Sequence, residues 1–407
     1  MIRALTNARI LEDGGLAEAK LVEDRAVLIE DGRIKAVVGA REVPADARRT
    51  DLEGALLLPG FFDTQVNGGA GLLFNDAPTV ETIAAIGAAH RKFGTTAFLP
   101  TLISDDLEVV REAIAAVDAA IAQGVPGVWG IHIEGPFLNV RRKGVHDASK
   151  FLTLDESSLG LLSSLKRGRT LVTLAPEKTR PGIVRALADA GVVVSAGHAN
   201  ASYAATKAAL EHGLTGFTHL FNAMSPLTSR EPGVVGAALE NQSAWCGLIV
   251  DGRHVDPVVL RIALKCRPLD RFMLVTDAMP SVGMKGSKTF MLQGRMITVE
   301  DGVCVDAHGT LAGSDLDMAS AVRNACAMLD LDLASAARMA GASPARFMGL
   351  EREFGRIAPG LRADLVAADD DLKVIETWIG GEASGDLDAH APEPAAAFGG
   401  AARGPAE

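Results

Sequence analysis

Three segments of this chain end on residue types that bind a metal ion when they converge: HIEGPFLN carries Glu134, SAGHANA carries His198 and FTHLFNAM carries His219. A carboxylate and two imidazoles suit a divalent transition metal, and three protein ligands leave one coordination position open for water. An open position points to catalysis rather than to a structural staple. A fourth segment, RFMLVTDAM, presents Asp277, a carboxylate able to take a proton from that water. His132 lies two residues before Glu134 and so faces the same side of an extended chain. It is expected to pack beside the ligands rather than to join them.

Each of these polar residues closes a short apolar or β-branched run, as in GVWGIHIE, GVVVSAGH and GLTGFTH. Such runs read as buried parallel strands that deliver side chains at their C-terminal ends. A lone His or Glu at a strand end is more often hydrogen-bonded structure than a ligand. Four of them on successive strand-like runs make one shared site the better reading.

From LLLPGFFDTQVNGG to about residue 350, strand runs alternate with helical stretches such as VETIAAIGAAHRKFG and LEVVREAIAAVDAAIAQG. This alternation predicts an α/β fold, a (β/α)8 TIM-type barrel over 55–354. The N-terminal part instead reads as β-strands with an Asp-Gly hairpin signal at Asp31 and Gly32, and β character returns in GRIAPGLRADLVAADDDLKVIETWIGG. Pairing the two ends predicts a small β-sandwich domain over 1–54 plus 355–381. A late insert, KTFMLQGRMITVEDGVCVDAHGTLAGS, has short strands between Gly-containing turns and is placed to cover the site. The Ala-, Gly- and Pro-rich stretch 382–407 lacks apolar period and is expected to be a disordered tail.

A net charge of -11 argues against a nucleic-acid or anionic-membrane partner and leaves a small molecule as the expected one. The four cysteines show no C-x-x-C pairing and read as ordinary thiols of a reducing compartment. With neither a signal-like N-terminus nor an uninterrupted apolar span, a cytoplasmic location without membrane association is expected.

Taken in order, PGFFDTQVNGGAG, HIEGPFLN, KGVHD, SAGHANA, THLFNAMSPLTSREPG, VDGRHVD, LVTDAM and LAGS resemble the N-acetylglucosamine-6-phosphate deacetylases of the amidohydrolase superfamily over nearly the whole chain. The resemblance implies a metal-dependent hydrolase that removes acetate from a 6-phosphorylated amino sugar, on a barrel with a β-sandwich appendage. Many members of the wider superfamily carry His-x-His after the first barrel strand, where this chain has Gln65 and Asn67. Neutral amides are poor ligands for transition metals. One divalent ion per chain is therefore expected, with zinc the expected element, held by Glu134, His198 and His219. Gln65 and Asn67 are left to hydrogen-bond ligand or water, and Asp63 is taken as structural.

The resemblance also implies Asp277 as proton carrier and His146 as the donor that stabilises the oxyanion. Its substrate contacts map to Val145, His146, Asn222 and Ala223, then to Asp251 and His254, and to a closing stretch at Leu311, Ala312 and Gly313. Asp251 could equally be a turn former. Arg230 corresponds to a phosphate contact that reaches into a neighbouring subunit, which implies a homodimer with shared active sites. The basic run Arg141, Arg142 and Lys143 is read mainly as a solvated face. The rival readings are an N-acetylgalactosamine-6-phosphate deacetylase, another amidohydrolase acting on N-acyl amino acids or cyclic amides, and a catalytically dead barrel that serves as a binding protein.

Overall fold

The computed structural model describes residues 1–12, 20–286 and 288–387. Eight parallel strands, each hydrogen-bonded to the next in chain order, form the wall of a barrel. They are β1 (Phe61–Val66), β2 (Thr95–Ile103), β3 (Gly130–Glu134), β4 (Arg169–Leu174), β5 (Val193–Ala196), β6 (Leu214–Phe217), β7 (Trp245–Leu248) and β8 (Phe272–Leu274). Closure comes just past β8, where Val66 bridges Ala278 and the Asp277 N–H donates to Gln65 O at 3.0 Å. The expected (β/α)8 barrel is thus the fold of the chain.

The strands read as continuous apolar runs because helices cover their outer face while their inner face closes on itself. Strand alternation puts Ile131 and Ile133, both fully buried, on the face opposite His132 and Glu134. Each such side chain contributes roughly 1.5–3 kcal/mol on burial. The helix Leu107–Ala122 turns one stripe inward, with Val110, Ala113, Ile114, Val117 and Ala120 buried at helical spacing. Helix starts are fixed by side-chain caps: Ser202 accepts the N–H of Ala205, and Asp317 that of Ser320.

The two ends of the chain build a second, mixed sheet. Its strands run in the order Glu382–Ala383, Val374–Ile379, Leu365–Ala368, Leu56–Pro59, Arg3–Glu12, Lys20–Glu30 and Arg33–Gly39, with Arg48–Asp51 also paired to Arg3–Glu12. The Asp31–Gly32 turn has φ of +50° and +74° at its two residues, the left-handed pair a tight hairpin needs. Leu5, Ile10, Val27, Ile29, Leu57, Leu365 and Trp378 form its core. The sheet runs past its expected limits on two sides: Leu56–Pro59 pairs here rather than opening the barrel, and Glu382–Ala383 is a strand rather than tail. Residues 388–407 of that expected tail lie outside the described residues. Buried Arg91 joins the two domains, donating to Thr377 Oγ1 at 3.0 Å and to Glu382 O at 2.7 Å.

Between β8 and the last barrel helices, the insert forms a four-stranded antiparallel sheet from Thr289–Leu292, Arg295–Glu300, Val303–Asp306 and Leu311–Ser314. It lies over the C-terminal mouth of the barrel, where Leu311 and Gly313 line the same cavity as Glu134. Among the described residues, no helix is long and apolar enough to cross a membrane.

Candidate metal centre

Glu134 ends β3, His198 follows β5 and His219 follows β6, so three strand ends deliver their side chains to one point. The Nε2 atoms of His198 and His219 lie 3.1 and 2.9 Å from Glu134 Oε1 and 3.1 Å from each other. Around a tetrahedral ion with bonds of about 2.0–2.1 Å, neighbouring donor atoms sit roughly 3.3 Å apart, so the cluster has nearly the required spacing. His198 Nδ1 donates to Arg142 O at 2.8 Å, which leaves the Nε2 lone pair facing the cluster. Gln65 Nε2 occupies Glu134 Oε2 at 3.1 Å and leaves Oε1 as the ligand oxygen. All three side chains are buried, and their donor set fits one divalent ion.

The local backbone is unusual at each of these stations. His198, His219 and Asp277 have φ of +47°, +35° and +53°, the left-handed region that residues other than glycine seldom occupy. Strain of this kind persists where the surrounding structure imposes it, and it collects at functional sites. Gly197 lets the chain turn tightly into His198, since a Cβ there would stand 2.6 Å from Thr173 Cγ2.

Asp277 is held by two side-chain amides. Asn67 Nδ2 and Gln65 Nε2 both donate to its Oδ1, at 2.7 and 3.1 Å, leaving Oδ2 open. Burial raises the Asp277 pKa above the usual carboxylate value, and the nearby Glu134 charge adds to the effect. Burial also opposes ionisation of Glu134, but the adjacent imidazoles of His198 and His219 outweigh it and hold that carboxyl well below its ordinary value. The two carboxyl groups are thereby driven apart, a pattern suited to one ligand and one proton carrier.

Beneath the ligands lies a polar floor. His132 is fully buried, with Nε2 2.8 Å from Thr173 Oγ1 and Nδ1 3.3 Å from Thr101 Oγ1. Burial lowers its pKa to about 4, so it is a neutral floor residue and no member of the donor cluster. Asp63, also fully buried, accepts from the Gln65 N–H at 3.1 Å and from Thr276 Oγ1.

A cavity of about 370 Å³ opens above the cluster. Its lining includes Val145, His146, Asn222, Ala223, His254, Leu311 and Gly313 together with the three ligands and Asp277. His146 is neutral: burial first, then the charge of His198, pushes its pKa well below that of an ordinary histidine. Three of the expected substrate contacts are not in the lining. Ala312 is fully buried behind its neighbours, because alternation along the strand turns it away from the cavity. Asp251 instead accepts His254 Nδ1 at 2.6 Å and the N–H groups of Arg253 and His254, so it both forms a turn and aims the histidine. Arg230 is exposed on its loop, away from its own chain's cavity.

Arg141 and Arg142, read from sequence as a solvated run, do line the cavity, as do Ile103, Met279 and Thr310. Ser104 touches His146 and is a further residue of the site. The sequence carries its signal, because TTAFLPTLIS ends an apolar run on a polar residue just as GVWGIHIE does.

Residues 56–384 match the amidohydrolase family model, and residues 3–57 match that of the NagA composite domain. The N-acetylgalactosamine-6-phosphate deacetylase of Shewanella sp. is 44% identical over 93% of this chain and 96% of its own length. The N-acetylglucosamine-6-phosphate deacetylase of Haemophilus influenzae is 35% identical over 89% of this chain and 95% of its own. The crystal structure of N-acetylglucosamine-6-phosphate deacetylase from Pasteurella multocida superposes with a TM-score of 0.89 at 33% identity, covering 94% of this chain and 99% of that one. The fold, the strand-end cluster and these likenesses agree, and the chain belongs to the amidohydrolase family, among its amino-sugar 6-phosphate deacetylases.

Proposed function

We propose that this chain hydrolyses N-acetyl-D-glucosamine 6-phosphate to D-glucosamine 6-phosphate and acetate, as a step of amino sugar catabolism, using one divalent ion per chain, zinc in the first instance. The observation that carries the reading is the convergence of Glu134, His198 and His219 on one point, with Asp277 held beside them at the floor of a sugar-sized cavity. Glu134, His198 and His219 would hold the ion, which would supply a Lewis acid for the amide carbonyl and for a water. Asp277 takes the water's proton on Oδ2, because Oδ1 is occupied by Gln65 and Asn67, and returns it to the leaving nitrogen as the intermediate collapses. Neutral His146 donates a hydrogen bond to the oxygen that gains charge.

The phosphate needs cationic partners. Arg141 and Arg142 are the only Lys or Arg side chains among the described residues of the lining, so they are assigned to the phosphate end; His254, oriented by Asp251, lines the same cavity. Arg230, exposed and outside its own cavity, supports a homodimer in which it serves the partner's site. Mixing Arg230→Ala chains with Asp277→Asn chains tests this. Each variant alone loses activity, Arg230→Ala by roughly 10- to 150-fold on the phosphorylated sugar. Subunit exchange then pairs both defects in one site and restores the other. No recovery after demonstrated exchange would end the shared-site assignment. Four free thiols and a phosphorylated substrate support a cytoplasmic setting.

The 44% identity to the Shewanella enzyme favours a second reading, the galactosamine epimer of the same substrate. Acetate release from both N-acetylhexosamine 6-phosphates and from unphosphorylated N-acetylglucosamine, with metal content measured on the same sample, separates the readings. Turnover of at least one phosphorylated sugar, far above the unphosphorylated one, is expected. A folded, metal-loaded chain that releases acetate from neither would overturn the deacetylase assignment.

A further inference from the structure

His146 donates usefully to a substrate oxygen only if its proton sits on the nitrogen facing the cavity. Its other nitrogen, Nδ1, meets two groups of Ser104: the backbone N–H at 3.3 Å and Oγ at 2.8 Å. A backbone N–H can only donate, so Nδ1 must offer its lone pair and the proton must reside on Nε2. Donation into Nδ1 also draws electron density from the ring and sharpens Nε2–H as a donor. We infer that Ser104, braced by the tip of the insert, is a positioning residue that fixes His146 in the tautomer its role in the proposed deacetylation requires.

Ser104 is itself held on several sides. It is almost fully buried at the end of β2, where Asn75 pins the preceding residue by accepting the Ile103 N–H and donating to Ile103 O, each at 3.0 Å. Its hydroxyl lies against Gly135, where a Cβ would stand 2.2 Å from Oγ, so the glycine after Glu134 makes room for it. The insert turns at Gln293 and Gly294, both with positive φ, and that tip reaches down to the same place. Gln293 Nε2 donates to Ser104 O at 3.3 Å, and Arg295 donates to the carbonyl of Val145, next to His146. Two backbone carbonyls flanking the Ser104–His146 pair are therefore anchored by one hairpin tip. The insert has a role beyond covering the cavity: it holds the oxyanion donor's orientation.

The test is a long-range proton–nitrogen correlation spectrum of zinc-loaded protein labelled with 15N-histidine, with His146 identified by the signals lost in His146→Gln. The expected spectrum has a bare Nδ1 and a protonated Nε2 on His146. Ser104→Ala removes the hydroxyl at 2.8 Å but keeps the backbone N–H, so Nε2 should stay protonated while the Nδ1 signal shifts with the loss of one donor and bound zinc is unchanged. Turnover on the acetylated hexosamine 6-phosphate should fall roughly five- to tenfold with KM within about twofold. Gln293→Ala combined with Arg295→Ala should lower kcat in the same direction, again at constant zinc content. A proton on Nδ1 of wild-type His146, or Ser104→Ala with unaltered kcat and unaltered His146 signals, overturns the assignment. Because the spectrum needs no substrate, a chain with the expected tautomer that releases no acetate would sink the deacetylase reading and leave this one standing.

Discussion

The mouth of the barrel has two unlike sides. On the side of β3, β5 and β6, ionisable groups point at one shared position, their donor atoms about as close as an ion would hold them. On the side of β1 and β8, groups point at one another: Asn67 and Gln65 at Asp277, and Thr276 at Asp63. The same strand-end delivery thus makes a binding cluster on one side and a braced proton carrier on the other. Gln65 links them, with one amide group reaching both Glu134 and Asp277. What the difference teaches is that the neutral amides at the end of β1, Gln65 and Asn67, add no second ligand set among the described residues. That side holds a carboxylate instead of an ion.

Breaking the ligand side should have the largest effect. Glu134→Gln removes the anionic ligand, so bound metal and turnover should be lost together, as read by elemental analysis and acetate release on one sample. One ion per chain retained in that variant would remove Glu134 from the ligand set. Breaking the other side should leave the ion in place. Asp277→Asn should lower turnover by ~10²–10⁴-fold with metal content unchanged, and normal turnover would end its role as proton carrier. Cutting the link is milder: Gln65→Leu loses hydrogen bonds to charged groups worth about 1.5–3 kcal/mol, or roughly 10- to 150-fold in kcat. If that variant also lost its ion, the two sides would be one unit and the division drawn above would fail.

Much of the ligand side was legible in the sequence, because a polar residue closing an apolar strand run carries both its position and its direction. Less of the other side was. That Asn67 and Gln65 face Asp277 depends on how β1 meets the chain after β8 across 210 and 212 residues of sequence. Local pattern does not encode such a meeting. The same holds for Asp251 and His254: the turn was readable, whereas the 2.6 Å contact between their side chains was not. From sequence Leu56–Pro59 reads as barrel, because a buried strand of the end sheet and one of the barrel wall share one apolar pattern. The positive φ at His198, His219 and Asp277 left no mark at all, since none of them is a glycine.

The smallest effect sharpens the comparison from below. Asp63 supports the Asp277 side, fully buried, with burial raising its pKa to about 7 against the hydrogen bonds it accepts. Its unfolded value is near 3.8. Between those two values the folded chain keeps a proton that the unfolded chain has released. Stability from this group is therefore present at low pH, falls as pH rises from about 4 toward 7, and is flat above that. Asp63→Asn mimics the protonated form, so its melting temperature should fall less than that of the wild type between pH 5 and pH 8. Metal binding also varies with pH, but both proteins share that dependence, and the difference between their curves isolates Asp63. Parallel curves would mean that Asp63 is ionised in the folded state at both ends of the range. The Asp277 side would then rest on a buried charge rather than on a neutral hydrogen-bonded carboxyl.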